Sequence, residues 1–277
     1  MTHKSPNGAC LEVDPSTLSF AMDLAYETGS LMRSKFNPKG LSYETKMDLS
    51  LITAVDVAIN DLIILRIKKR YPKHSILGDI INPPKDITDY VWVCDPIDGT
   101  QSYAMGVQLS AFSLALTYRG SVVLGVIYQP FTDQLFHAIV NRGAYLNGMP
   151  ISVSKIDNIA DSTCFFSYKS HHTFDISNTI KYLLNHDKRT YNYGSTAFSC
   201  CLIASGHNEL DIFAGTQAYS IAAAKIIVTE AGGKVTDLFG NDQRYDRLLQ
   251  GAIISNGLVH QQLIDLLKDT KRQHISD

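Results

Sequence analysis

Five apolar residues in a row, Tyr90-Val91-Trp92-Val93-Cys94, run straight into Asp95-Pro96-Ile97-Asp98-Gly99-Thr100. A continuous apolar run of this length reads as a fully buried strand, and its abrupt polar end is where chemistry is expected. Pro96 is expected to stop the strand, leaving Asp95 and Asp98 three residues apart across a tight turn and converging on one point. Two convergent carboxylates suit a hard cation such as Mg²⁺, which takes oxygen ligands and keeps waters for a substrate to displace. Gly99 and Thr100 offer backbone N–H groups at the start of a short helix, an arrangement that holds phosphate. Asp-Pro and Asp-Gly pairs also mark ordinary turns, and from the ten residues Val91 to Thr100 alone a plain strand-turn-helix is an equally good reading.

Composition bounds the rest. With 277 residues the chain has the length for one large domain or two coupled ones, and its 45% hydrophobic and 19% charged residues are those of a globular protein. A formal net charge of -2 without a long basic run argues against nucleic acid or an anionic membrane surface and leaves small ligands as the expected partners. The five cysteines form no CxxC pair and no zinc spacing, which fits free thiols in a reducing cytoplasm. No stretch approaches the roughly 18 apolar residues of a spanning helix.

The pattern along the chain mixes helices and strands throughout. Residues 1–14 read as a tail, 15–154 as an N-terminal half carrying the site, and 155–277 as a second half that completes it. A helix is expected from Pro15, with Leu18, Met22, Ala25, Gly29 and Met32 on one face, and another from Val55 to Ile67, ended before Pro72. Thr53 or Asp56 serves as a cap of the second on local grounds. Ser75 to Asp79 is a short strand running into a loop, and Asn82 to Asp86 is rich in turn residues. After a helical turn over Gln101 to Gly106, Leu109–Tyr118, Val122–Tyr128 and Leu135–Val140 form an antiparallel meander, with Asn147-Gly148 closing a further hairpin. Residues 155–192 carry the weakest pattern; a helix is expected over 176–185, with His171 and His172 as solvated loop residues. A helix capped by Ser195 or Thr196 then runs to Ala204, Leu210–Phe213 is a strand, and a helix runs from Ala218 to Gly233. Two strands and a helix over Val259–Leu267 close the chain.

The run Asp95-Pro96-Ile97-Asp98-Gly99-Thr100 resembles the metal-binding signature of the inositol monophosphatase family, the magnesium-dependent, lithium-sensitive sugar-phosphate phosphatases. Further matches follow in order from about residue 18 to residue 267: Thr53-x-x-Asp56, Gly78-Asp79, Gly143-Ala144-x-x-Asn147-Gly148, Gly194-Ser195-Thr196-Ala197, and the helix ending in Gly232-Gly233. The resemblance implies a layered αβαβα sandwich of mixed α/β (α+β) class and hydrolysis of an inositol or related small sugar phosphate with Mg²⁺. It implies one ion between Asp79, Asp95 and the Ile97 carbonyl, and a second between Asp95, Asp98 and residue 220. Asp79, Thr100 and Asp56 would be catalytic, with Asp56 orienting the Thr100 hydroxyl. Gly99, Thr100, Ser195, Thr196 and Lys46 would bind the phosphate and substrate, and a cytoplasmic homodimer is the family expectation.

Several positions depart from that pattern, among them Leu51 where the family usually has proline. Asp79 and Ile80 stand where the family has two glutamates, so one carboxylate is shortened by a carbon and the other is lost. Thr196 replaces an alanine. Ser220, in Tyr219-Ser220, replaces the aspartate of the family's Trp-Asp pair, and with it a carboxylate ligand. The expected consequence is a weakened second-metal site. Two other readings stay open on the sequence alone: a pseudo-phosphatase that binds phosphorylated ligands or a partner without turnover, and a 3′-phosphonucleotide phosphatase, suggested by Lys-x-Asp-x-Ser at Lys46 to Ser50.

Overall fold

The structure, a computed structural model, describes residues 13–46, 51–81, 87–167, 174–185 and 189–271. Two helices open the chain, α1 (Pro15–Lys35) and α2 (Ala54–Arg70), with a small hairpin of β1 (Glu44–Thr45) and β2 (Leu51–Ile52) between them. There follow β3 (Ser75–Gly78), β4 (Tyr90–Asp98), α3 (Thr100–Ala104), β5 (Ala111–Tyr118), β6 (Ser121–Gln129), β7 (Gln134–Ile139), β8 (Ala144–Leu146) and β9 (Met149–Pro150). These strands form a seven-stranded sheet in sequential order, with β3 and β4 parallel and the rest antiparallel. The second half contributes β10 (Thr163–Ser167), α4 (Ser177–Asn185), β11 (Arg189–Tyr191), α5 (Thr196–Ala204), β12 (Leu210–Phe213), α6 (Ala222–Glu230), β13 (Lys234–Thr236), β14 (Ala252–Ser255) and α7 (His260–Lys271). Its five-stranded sheet has the order β11-β10-β12-β14-β13.

Alternation along β4 explains the layering. Trp92 and Cys94 face a core shared with Ala21, Leu24, Met32, Ile59, Ile63 and Ile67 of α1 and α2, whereas Val91 and Val93 face a core shared with α5 and α6. Both faces of the sheet are covered, so a strand with no polar alternation is what this position requires. Phe213, Val235, Ala252 and Ile254 of the second sheet close over the other side of α5 and α6, and its outer face packs Leu210, Ile212 and Ile253 against α4 and α7. The layers are α1 and α2, the large sheet, α5 and α6, the small sheet, then α4 and α7: the αβαβα sandwich that the family resemblance implies.

Several boundaries differ from expectation. Pro96 does not end β4, which runs on to Asp98. The register against β5 passes from Asp95 opposite Ser113 to Asp98 opposite Ala111, three residues against two, so a bulge takes up the proline that cannot donate to the ladder. The expected helix from Ala218 is broken: a 3-10 turn covers Ala218–Ser220, and α6 starts only at Ala222 after Ile221 departs from helical geometry at φ -122°. Strands β10 and β11, the latter on the sheet edge, lie in the stretch whose pattern was weakest, where short segments carry little alternation. Asp14, placed in the tail by the sequence, caps α1 by accepting the Ser16 amide, and Val13 is buried. His171, His172, Asp48, Ser50 and the Asn82–Asp86 turn lie outside the described residues. Among the described residues, no helix is long and apolar enough to cross a membrane.

Gly125 on β6 lets α6 lie directly on the large sheet. A Cβ there would come within 2.6 Å of the Ile226 side chain and 2.7 Å of the Ala223 carbonyl, and a helix backbone cannot yield as a side-chain tip does. Gly125→Ala is expected to destabilise the protein by about 2 kcal/mol or more, read as a lower urea midpoint with the m-value unchanged.

Candidate active site

The site is built at the end of β4, where the bulge turns consecutive residues toward different partners. Asp95 and Asp98 are both buried. Burial pushes the Asp95 carboxyl well above the ordinary range, and the neighbouring charges of Asp98, Asp79 and Asp56 push it further, against the pull of Lys46. Asp56 is likewise raised, chiefly by burial.

Each of the other carboxylates is engaged by the chain. Asp79 is paired with the Lys46 ammonium. Asp98 accepts the Ser195 hydroxyl and, at 2.8 Å, the Ala197 amide, so its charge sits on the N-terminus of α5, where the helix dipole favours it. Ser195 also accepts the Phe198 amide at 3.2 Å as the helix cap. Asp56 does two things. With Thr53 it closes a capping box on α2, taking the Thr53 amide at 2.8 Å, and its other oxygen faces the Thr100 hydroxyl at 3.1 Å. The capping role read from local sequence and the link to Thr100 read from resemblance are thus both present.

Thr100 begins the short α3. Its hydroxyl lies 2.8 Å from the Ile97 carbonyl and 3.1 Å from Asp56, two acceptors that compete for its one proton. Gly99, just before it, is left-handed at φ +84°, and a Cβ there would stand 2.9 Å from the Leu109 carbonyl and 3.1 Å from Ser195 Cβ. Glycine is required on both counts. The turn carrying Ser220 packs against β3, β4 and β5. Thr196 is buried, with its hydroxyl 3.0 Å from that of Ser167.

Among the described residues, no three His, Cys, Asp or Glu side chains stand grouped as a ready-made cage for a metal ion. The donor chemistry nonetheless fits one hard divalent cation: the buried Asp95 and Asp98 carboxylates and the Ile97 carbonyl offer only oxygen. The charge crowded around Asp95 is also a physical demand for a cation. Ser220 brings no charge to a second position.

One feature beneath the site went unread in the sequence. Asp211, on β12, is fully buried under α5 and accepts the Ser199 hydroxyl. Its only signal was a carboxylate inside the apolar run Leu210-Asp211-Ile212-Phe213. Burial pushes it up to about 7, against the pull of the Ser199 hydroxyl and the Ile212 amide. Glu230 is similar: it takes the Asn141 and Gly143 amides at 2.8 and 2.9 Å and ties the end of α6 to the large sheet.

Comparison with known proteins agrees with this architecture. The model of the inositol monophosphatase family matches residues 14–272. An inositol monophosphatase from Mesembryanthemum crystallinum is 30% identical over 263 residues, 92% of this chain and 96% of the relative. A histidinol-phosphatase from Chlorobaculum parvum is 29% identical over 255 residues, 92% and 98% of the two chains. Among solved structures, the Thermotoga maritima IMPase superposes with a TM-score of 0.81 at 26% identity, covering 93% of this chain and 99% of that one.

The raised Asp211 carboxyl has a stability consequence of definite sign. Its folded-state pKa lies above its unfolded one, so its contribution is fully present below 3.8 and is lost as pH rises through about 7. Asp211→Asn keeps an acceptor for Ser199 and removes the charge. The variant is expected to gain stability over the wild type between about pH 5 and pH 8, by at most about 3 kcal/mol, measured as the difference in urea unfolding at the two pH values.

Proposed function

The chain belongs to the inositol monophosphatase family and is by that membership a phosphoric monoester hydrolase, and we propose that it is Mg²⁺-dependent, hydrolysing inositol monophosphate or a related small sugar phosphate. The observation that carries the reading is the Asp95, Asp98 and Gly99-Thr100 constellation at the buried end of β4, with Asp56 behind Thr100.

In the reaction a water oxygen bonds to phosphorus, the ester P–O bond breaks, and the alcohol leaves with a proton. Magnesium, when bound, supplies positive charge that polarises the ester and makes water more acidic. Asp95, Asp98 and the Ile97 carbonyl are the residues that would hold it, with Asp79 once Lys46 lets go. The Thr100 hydroxyl, donating to Asp56, keeps its lone pairs for the proton of the attacking water, with Asp79 as the second acceptor. The amides of Gly99 and Thr100 are assigned to the phosphate oxygens, where their dipoles serve charge that develops as the ester breaks. Lys46 is assigned to the phosphate, and Ser195 and Thr196 to the substrate wall. Ser195 meets the site through Asp98, and Thr196 through Ser167.

The second ion position is weakened. An aspartate in place of Ser220 adds one negative charge at ligand distance, on the order of 4 kcal/mol per unit cation charge at an effective dielectric near 20. A third of that is about tenfold in affinity. A homodimer working in the cytoplasm, with residues 15–154 and 155–277 as its two structural halves, completes the proposal. It is supported by family membership and by the four buried free thiols among the described residues.

A phosphate-release screen over inositol and sugar monophosphates with titrated Mg²⁺ tests the reading; turnover that needs millimolar Mg²⁺ is expected, and a chain silent on the whole panel would sink it. Ser220→Asp is expected to lower the Mg²⁺ concentration for half-maximal activity about tenfold or more and to raise kcat. An unchanged Mg²⁺ dependence would remove residue 220 from the metal site.

A further inference from the structure

Stability gives no reason for a carboxyl at position 211. Asp211 lies on β12, the middle strand of the small sheet, with Phe165 and Ile254 as its register partners, and it is fully buried. Its Oδ1 has no hydrogen-bond partner among the described residues. Around it stand the Ser199 hydroxyl and Cys200 thiol of α5 and the Ser167 hydroxyl and Cys164 thiol of β10, while the Asp98 carboxylate of β4 adds like charge. A buried acid in such company, with no cation to pair with, costs stability.

What the acid holds is the first turn of α5. The Ser199 hydroxyl touches Asp211 Oδ2 and lies 2.9 Å from the Thr196 carbonyl. The Ser167 hydroxyl, which acts on the same carboxyl more weakly, accepts the Thr196 hydroxyl at 3.0 Å. Thr196 is therefore gripped at its backbone and at its side chain by two serines that answer to one acid. The residues on either side of Thr196 are the two that hold Asp98: the Ser195 hydroxyl and, at 2.8 Å, the Ala197 amide both donate to its Oδ2. Two donors on one carboxylate oxygen restrict its rotation, so the position of Thr196 decides how Asp98 points. The path through Ser199 is direct at every link, from the middle of the small sheet to a carboxylate of the large one.

We propose that Asp211 is a positioning residue for the cation site: acting through Ser199 and Ser167 it fixes Thr196, and with it the two donors that aim Asp98 at a divalent cation. The proposal rests on the Mg²⁺-dependent reading and adds to it a residue that touches neither substrate nor ion. Proton counting agrees with the role. Ser199 has one proton for two acceptors, so both of its contacts are full hydrogen bonds only when Asp211 brings a proton of its own, and burial favours that form. An asparagine supplies donor and acceptor from one head group; a leucine fills the volume and supplies neither.

Titration calorimetry of the full chain with Mg²⁺, without substrate, tests it. Asp211→Leu is expected to raise the Kd for Mg²⁺ about tenfold, and Asp211→Asn to leave it within about twofold of the wild type. Misfolded protein lowers the stoichiometry of such a titration and not the affinity of the folded fraction, so a merely structural role leaves Kd unmoved. Should the leucine variant not fold, the Thr196→Val, Ser199→Ala double variant cuts both arms with Asp211 in place, and the same rise is expected. Wild-type affinity in Asp211→Leu, or in the double variant standing in for it, overturns the proposal. So does an asparagine variant as weak as the leucine one, which would trace the effect to the charge of Asp211 and not to its hydrogen bonds. If the wild type itself binds no Mg²⁺, the cation reading has failed on its own account. The anchor is then decided in the same variants by amide exchange followed by NMR, with the Ser205 amide at the far end of α5 as internal reference. The Ala197 amide is expected to exchange about tenfold faster relative to that reference than in the wild type, and an unchanged ratio overturns the proposal.

Discussion

Like charge gathered in a buried place is the constraint from which the rest of this structure follows. Asp95, Asp98, Asp79 and Asp56 stand close enough for the last three to raise the first, in surroundings where burial already opposes ionisation. Such a cluster persists only if each member is compensated. Lys46 answers Asp79, a capping box and a hydroxyl answer Asp56, and the N-terminus of α5 answers Asp98. Among the described residues, Asp95 receives the least, and it is the group with the strongest claim on an added cation.

That compensation also joins the two halves of the chain. Asp98 belongs to the large sheet, yet its partners Ser195 and Ala197 open a helix of the second half. The close approach is permitted by Gly99, whose missing side chain leaves room for the Ser195 Cβ. Behind the site, α5 and α6 form one continuous core with both sheets, and Gly125 sets how near α6 lies. A helix that packs between two sheets and presents its N-terminus to a carboxylate of one of them cannot shift without disturbing both core and charge. The buried Asp211 beneath α5 adds a cost to the same helix, offset in part by Ser199.

How much of this the sequence carried depended on how local each signal was. The strand Tyr90–Cys94 was legible because burial on two faces leaves a run without polar alternation, and the caps at Thr53, Asp56 and Ser195 because capping is decided within four residues. Pro96 misled for a physical reason: a bulge tolerates a residue without an N–H, and whether a strand carries a bulge is settled by its neighbour's register. The break before α6 was hidden because Ala218 to Ala224 all accept helical geometry and tertiary packing chose otherwise. β10 is held in place by pairing with β12, a partner distant in sequence, and β11 by pairing with β10, so their own residues say little. The cluster around Asp95 was suggested by spacing, but which carboxylate takes which partner is a matter of side-chain contacts across up to 99 positions, as between Asp98 and Ala197.

The charges themselves limit how the proposed site can fill. Four carboxylates and one ammonium, if all ionised, give -4 + 1 = -3, and the raised Asp95 and Asp56 make the true figure smaller in magnitude. One divalent ion nearly neutralises such a site. A second would leave it positive, which is unfavourable in a low-dielectric pocket until an anion arrives, and Ser220 offers no charge to soften that. A phosphate dianion supplies the missing negative charge, so second-ion and substrate binding must each favour the other, by the reciprocity that links any two ligands sharing one field. In the proposed mechanism the serine leaves the filling of a second ion position to the substrate rather than to the protein.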